Sequence, residues 1–423
     1  MGNKIYVADK ETLDQIHAVV VGEPVYGFIE HMNIKSPSAR ITPIGLNKNF
    51  SNVVRDTTTG SLILNEWADF GVVKGNKPYM VRSDGTPDYM LSETDYTKKA
   101  DGVTASDVSN TDYDGGAFAW FPRVYKHEHM EGHDRVVMFS MVERDGYLPV
   151  GFVDPDDHVL EGVWLPMFYG SILGADGATP KMVSLAGLQP SYSKTTADQN
   201  TAISNFSARA KFLGGPIVET IIDILIMMAG TTNLQSVYGN GNMNGYDESL
   251  APTMGVKQNA VIGGGQFYGT SDGKSLNKIF HSIVLGSYQQ WMRDPYEIVV
   301  NGRVKVSKNY KYDVTGATYE DTGINVPNGP KAWEYPLRYQ TVEGYGSIPA
   351  IEFAGGSTST GGCDGLYRHE TQETMTAVAL RFGSCYHGLV CGPRARYWDY
   401  TAGPAAWGLG AADLLLPPVG VAA

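Results

Sequence analysis

Cysteine is scarce in this chain of 423 residues, which holds only Cys363, Cys385 and Cys391. With no Cys-x-x-Cys pair, three thiols make no disulfide framework, and reduced, buried side chains are expected. Long apolar runs are missing too. The longest, Ile217 to Ala229, carries Glu219 and Asp223, whereas a bilayer needs about 20 apolar residues. No membrane insertion is expected. The opening stretch MGNKIYVADKETLDQ has no apolar leader region, and Tyr6 stands where a myristoylation signal needs Ser or Thr. Synthesis in a cytoplasm is the expectation, with any role outside the cell reached by release at lysis. Positive charge is short as well: Lys+Arg number 33 against Asp+Glu 45, a net charge of -12. That balance excludes a nucleic-acid partner, whose phosphates need Lys and Arg. Cofactor loops fail on spacing. In Gly239-Asn-Gly241-Asn-Met-Asn-Gly245 the third glycine is one place late, and Gly273-Lys274-Ser275 has Tyr268 where a phosphate loop needs glycine. No nucleophile motif occurs. No cofactor and no enzymatic activity are expected.

What the chain does have is glycine, 50 residues, and tyrosine, 25. Its length exceeds what one core usually fills, so a small attachment or oligomerisation module over residues 1–60 is read ahead of a large unit over 61–423. In the module, Leu13, Ile16 and Val20 share one face of a helix over Lys10–Val21, followed by extended runs at Tyr26–Ile29 and Ile41–Leu46 and a joint at Thr57–Gly60. Tyr96–Gly115 reads as a long polar loop. Phe118–Tyr125 and Arg135–Val142 read as strands joined by the polar segment KHEHMEGHD. Thr195 or Thr196 caps a helix to about Lys211. Pro216 and Gly230 bracket a second, apolar nearly all round and so buried. Residues 231–295 read as loops. Asn301-Gly302 between Tyr296-Glu-Ile-Val-Val and Arg303-Val-Lys-Val predicts a two-residue hairpin turn. No metal is expected: His127, His129 and His133 form the best candidate, because positions 127 and 129 share a strand face and a hairpin can return His133 toward them, while Asp154–Asp157 and Asp112–Asp114 lack the calcium-loop pattern and read as solvated loops. The competing reading of the histidines is a solvated hairpin tip.

The last forty-odd residues differ in kind. Residues 380–423 contain no Lys and no Glu, and they mix Tyr386, Tyr397, Trp398, Tyr400 and Trp407 with Gly, Ser and Ala. Rigid amphipathic rings spaced by small residues have the chemistry of a binding surface; an aromatic β-domain core has the same composition. The order LRFG…CGPRAR.W..TAG.A.W.LGAADLLLPPVG resembles the variable segment of proteins diversified by the diversity-generating retroelements of phages and bacteria. Residues 84–125, 194–210 and 280–306 resemble phage tail proteins that carry this domain, and the resemblance spans about residues 70–423.

The resemblance implies an α+β chain with a C-type lectin-like fold, shared with formylglycine-generating enzymes: twisted antiparallel sheets, two helices and long irregular loops. It implies a variable region over 380–416, where a mutated template changes adenines, most often in Asn codons. Ser384, Cys385, Tyr386, His387, Val390, Tyr397, Asp399, Tyr400, Pro404, Ala406 and Gly408 are all reachable from such a codon, and are the expected ligand-binding positions. Arg381, Arg394, Arg396, Trp398 and Trp407 are the expected framework. Arg394 and Arg396 alternate, so in an extended run they point to one face and are expected to bond loop carbonyls. Trp398 and Trp407 are expected to bury as anchors, and Leu414-Leu415-Leu416 to form a closing core strand. The residues that bind sugar through calcium in C-type lectins are not present. Copper-dependent oxidation is disfavoured because Cys385, one of the pair with Cys391, falls at a diversified position. The implied partners are a protein or cell-surface ligand and other virion tail proteins. A homotrimer is the family's expectation, and a bacterial display protein is the alternative setting.

Overall fold

The computed structural model describes residues 25–423 except 175–176, 178, 264, 327–329, 350–355 and 369–373. The helix expected over Lys10–Val21 lies outside the described residues. The fold is α+β, dominated by curled antiparallel sheets. Among the described residues, no helix is long and apolar enough to cross a membrane.

The first sheet has four strands in the order Ile41–Gly45, β1 (Tyr26–His31), Asp134–Ser140 and Tyr125–Glu131. Residues 26–60, grouped by sequence with the N-terminal module, share a core with the rest: Phe28, Ile41 and Val53 belong to the apolar cluster that holds Trp164 and Leu225. The polar segment KHEHME is a strand, not the expected connection. Its alternation explains this. Lys126 and Glu128 turn inward, where Lys126 Nζ meets Asp223 at 2.6 Å and Glu128 at 2.7 Å. Internal ion pairing lets charged residues occupy the buried face of a strand.

The second sheet has six strands in the order Ala210–Phe212, Asp413–Leu415, Gly162–Pro166, Gly115–Pro122, Lys77–Arg82 and Pro87–Met90. The expected closing strand is therefore an interior strand. Helix α1 (Thr196–Phe206) opens on a capping box between Thr195 and Asp198. It stops before Lys211, because Ser207 turns extended and residues 210–212 pair with the closing strand. Helix α2 (Pro216–Ala229) runs as expected from Pro216 to a left-handed Gly230, and every residue in it is buried. Glu219 and Asp223 lie one turn apart on it, so they share a face.

The third sheet carries the C-terminal segment. Its path is Glu320–Asn325, Arg303–Val306, β2 (Trp291–Val300), β3 (Thr376–Arg381), β4 (Arg396–Trp398), Leu366–Arg368 and Ala332–Glu334. The hairpin turn is as predicted: Asn301 and Gly302 both take positive φ, 50° and 81°, and Val300 pairs with Arg303. β2 starts at Trp291, five residues before the expected run, and a bulge between Asp294 and Ile298 interrupts its pairing with β3. Leu409–Gly410 runs parallel to the start of β2.

Candidate functional site

Arg381 and Arg396 stand directly opposite each other across β3 and β4, a placement that like charges disfavour. Two carboxylates between them reverse the sign. Glu219 Oε1 accepts from Arg381 Nη1 at 2.7 Å and from Arg396 Nη2 at 2.5 Å. Glu297 accepts from Arg381 Nη2 at 2.8 Å and from Arg396 Nε at 3.1 Å. Arg381 Nε also donates to Asp294 at 2.9 Å, and the Trp398 indole N–H donates to Glu297 Oε1 at 2.7 Å. Arg394 grips Glu30 of β1 with two bonds of 2.9 Å and lies 3.8 Å from the centre of the Tyr339 ring. All three arginines are buried. The expected partners of Arg394 and Arg396 were loop carbonyls. One such bond exists, from Arg396 Nη1 to Arg394 O at 3.4 Å, beside a bond from Arg396 to Ser347 O of the strand Gly346–Pro349 at 2.8 Å, but the main partners are carboxylates 84 to 364 positions away in sequence.

These pairs set an acid limit. Burial alone raises the Glu30 carboxyl, but the guanidiniums of Arg394 and Arg40 outweigh it and hold Glu30 far below the usual range. Glu297 is lowered in the same way, burial opposing Arg381 and Arg396. A carboxyl depressed in the fold contributes stability that is present above its unfolded value, near 4.5, and is lost as pH falls below it. Urea midpoints are therefore expected to fall steeply below about pH 4.5. Asp364 acts in the opposite sense. Burial pushes it up to about 8, against a bond from the Arg394 backbone N–H. The folded chain then holds a proton that the unfolded chain releases, so Asp364 costs stability as pH rises from about 4 toward 8. Asp364→Asn keeps the acceptor and is expected to gain ~1 kcal/mol or more at pH 8 and nothing near pH 4.

Outside this ionic core the segment forms an aromatic surface. Tyr397 stacks on Tyr367 with centroids 4.4 Å apart and lies 5.1 Å from Tyr400. Trp333 and the buried Trp291 stack at 6.1 Å, and both meet His387 and Tyr397 edge-on. Tyr386, 63% exposed, packs on Tyr246 at 4.9 Å, which in turn contacts Trp407 at 5.5 Å. The rings thus form one connected patch. Trp291, Trp333, Tyr367 and Tyr246 were not singled out in the sequence. They lie outside 380–416, and their only signal is an aromatic residue in otherwise polar or glycine-rich text.

The expected ligand-binding positions divide. Tyr386 is exposed, and His387, Val390, Tyr397, Asp399, Tyr400, Pro404 and Ala406 are half-buried with part of each at the surface. Asp399 pairs with Lys331 at 2.9 Å. Ser384, Cys385 and Gly408 are buried, which corrects the reading that all eleven face a ligand. Ser384 supports the surface from beneath, its hydroxyl 2.6 Å from His387 Nδ1. The Trp291 indole N–H also reaches Nδ1, at 3.2 Å. An indole only donates, so Nδ1 accepts and the ring proton sits on Nε2. Burial pushes this imidazole down to about 4, so it is neutral at pH 7. Trp398 is buried as expected, but Trp407 stays half-buried among the surface rings.

The loops that carry these side chains are held through their main chain. Carbonyl oxygens of Ala402, Ala406 and Gly408 accept from the backbone N–H of Thr196, Ser193 and Trp291 at 2.8 to 3.0 Å. Trp407 O accepts from Gln290 Nε2 at 2.9 Å. Cys385 O accepts from Tyr246 N, Gly388 N donates to Met243 O, and Val390 O accepts from Gly365 N. None of these bonds depends on the side chain of the loop residue.

Two other candidates resolve differently. His127 and His129 are neighbours at 5.1 Å, but His127 Nδ1 meets Gly146 O and His129 Nε2 meets Glu131, while His133 sits in an exposed turn. The trio is not brought together. Among the described residues, three such ligand atoms come within 4.8 Å of one another only at Asp154, Asp156 and His158. Cys385 and Cys391 are buried thiols that donate to Met254 O and Ser384 O, and burial pushes Cys385 up to about 12. A scan against protein-family models finds no match to the chain, and a search of curated proteins finds none either.

Proposed function

We propose that the chain is a ligand-binding protein of a phage or prophage, and that its aromatic surface is diversified by a retroelement to change its target. The reading includes a C-type lectin-like fold and a place on a virion tail. One observation carries it: the loops over 384–391 and 401–408 are fixed by main-chain bonds, while Tyr386, His387 and Trp407 on them join an aromatic patch. Such loops keep their path when side chains change, and rigid rings present large contact area at low ordering cost. The mechanism is non-covalent recognition, and many copies on one particle raise weak single-site affinity through avidity.

The test is genomic. A near-copy of the codons for 380–416, differing mainly at adenines, is expected beside a reverse-transcriptase gene. Sibling sequences are expected to vary at Tyr386, Tyr397 and Tyr400 and to keep Arg381, Arg394, Arg396 and Trp398. Equal variation in both sets would overturn the reading. At the protein level, Tyr386→Ala is expected to leave the urea midpoint unchanged and to weaken adhesion to the target cell at least severalfold, measured with labelled protein.

A further inference from the structure

Between the strand Tyr125–Glu131 and helix α2, a buried lysine stands against two carboxylates. Lys126 Nζ is 2.6 Å from Asp223 Oδ2 and 2.7 Å from Glu128 Oε2. By angle, neither contact is an aligned hydrogen bond. Arg135 fixes the carboxylates. Its Nη1 donates to Asp223 Oδ1 at 2.8 Å, and its Nη2 donates to Asp223 Oδ2 at 2.6 Å and to Glu128 Oε2 at 2.5 Å. Glu128 Oε1 has no hydrogen-bond partner. The Lys126 side chain is 0% exposed, that of Asp223 1% and that of Glu128 6%, so the group is shut off from water.

We propose that Lys126 and Asp223 become joined by an intramolecular isopeptide bond, made by the folded chain itself. Fixing an amine beside a carboxyl replaces a bimolecular encounter, and effective concentrations in such pairs reach about 10⁵–10⁸ M. A proton first passes from Nζ to Asp223 Oδ2, which turns the ion pair into an amine and a carboxylic acid. The amine lone pair then attacks Cγ, and Arg135 Nη1 stabilises the negative charge that gathers on Oδ1. Glu128 takes a second proton from Nζ and passes it to Oδ2. The Nζ–Cγ bond forms, the Cγ–Oδ2 bond breaks, and Oδ2 leaves as water. No oxidant and no further reactant are needed. Arg135 opposes the first step: burial raises the Asp223 carboxyl, but Arg135 and Lys126 outweigh it and hold Asp223 below the usual range. Two effects act the other way. Two buried charges carry a large desolvation cost, which the neutral pair avoids. The amide then removes one charge of each sign, and Arg135 keeps Glu128 as its counter-ion. The bond would tie the strand to helix α2, whose Glu219 holds Arg381 and Arg396, and a cross-link between distant residues restricts the unfolded chain. It is independent of the aromatic surface and of what that surface binds.

Mass spectrometry of the purified chain under denaturing conditions tests this, because an amide survives unfolding and an ion pair does not. The mass is expected to lie one water below that of the sequence. A digest is expected to yield a branched peptide joining Lys126 to the segment that carries Asp223, with no tryptic cut after Lys126. Lys126→Arg keeps the charge but offers only a guanidinium that stays protonated. Glu128→Gln keeps an acceptor oxygen but cannot carry the proton. Both variants are expected at the full mass of their sequences. The unaltered chain decides the question alone, so a variant that failed to fold would not shield the proposal. The full sequence mass in the unaltered chain, a lost water mapped to other residues, or the same branched peptide in Glu128→Gln would overturn it.

Discussion

Arg381→Ala is expected to cost at least ~3–5 kcal/mol, the loss seen when one partner of a buried ion pair is removed. The variant would leave Glu219, Asp294 and Glu297 buried with Arg396 as the remaining guanidinium in contact with Glu219 and Glu297. Domains are stable by only about 5–15 kcal/mol, so the variant should be near the threshold of folding. Arg381→Lys keeps the charge but offers one ammonium where three guanidinium nitrogens reach three carboxylates, so an intermediate loss is expected. Urea unfolding of the three proteins at pH 7 measures the series. A loss below ~1 kcal/mol for Arg381→Ala would show that the network does not hold the C-terminal segment.

The second large effect separates two adjacent residues. Trp398 is fully buried and bonds Glu297, whereas Tyr397 is half-buried on the outer side. Trp398→Ala removes a core ring and is expected to cost ~3–5 kcal/mol, with more from Glu297 losing a donor. Tyr397→Ala loses stacking on Tyr367 and is expected to cost ~1–2 kcal/mol. The same unfolding measurement reads both. If the two losses were equal, the division into buried framework and replaceable surface would fail at the place where the strand alternates.

Local chemistry was legible and distant pairing was not. Asn301-Gly302, Pro216 with Gly230, and the run at Leu414–Leu416 each carry a short-range physical signal, and each formed the expected element. The KHEHME strand was misread because its inward charges are paired within the fold, Glu128 with Lys126 and Arg135, and Lys126 also with Asp223, on a helix nearly a hundred residues later. The same limit hid Glu30 as the partner of Arg394. Ring-rich composition fitted a binding surface and a core alike, and the resemblance, not composition, implied that Tyr386, Tyr397 and Tyr400 face a ligand. Neither gave a means to see that Ser384 and Cys385 turn under the loop, or that Trp333 and Tyr367 come beside them from an edge of the third sheet. Burial of a small residue in a loop depends on what packs over it, and that information is long-range.

The central claim is that a fixed main chain carries exchangeable side chains. The most direct measurement is a displayed library randomised at Tyr386, His387, Tyr397, Tyr400 and Ala406, sorted for folding by resistance to protease, beside a second library randomised at Arg381, Arg394, Arg396 and Trp398. The account predicts that most members of the first library stay folded and almost none of the second do. Equal loss of folding in the two libraries would contradict it.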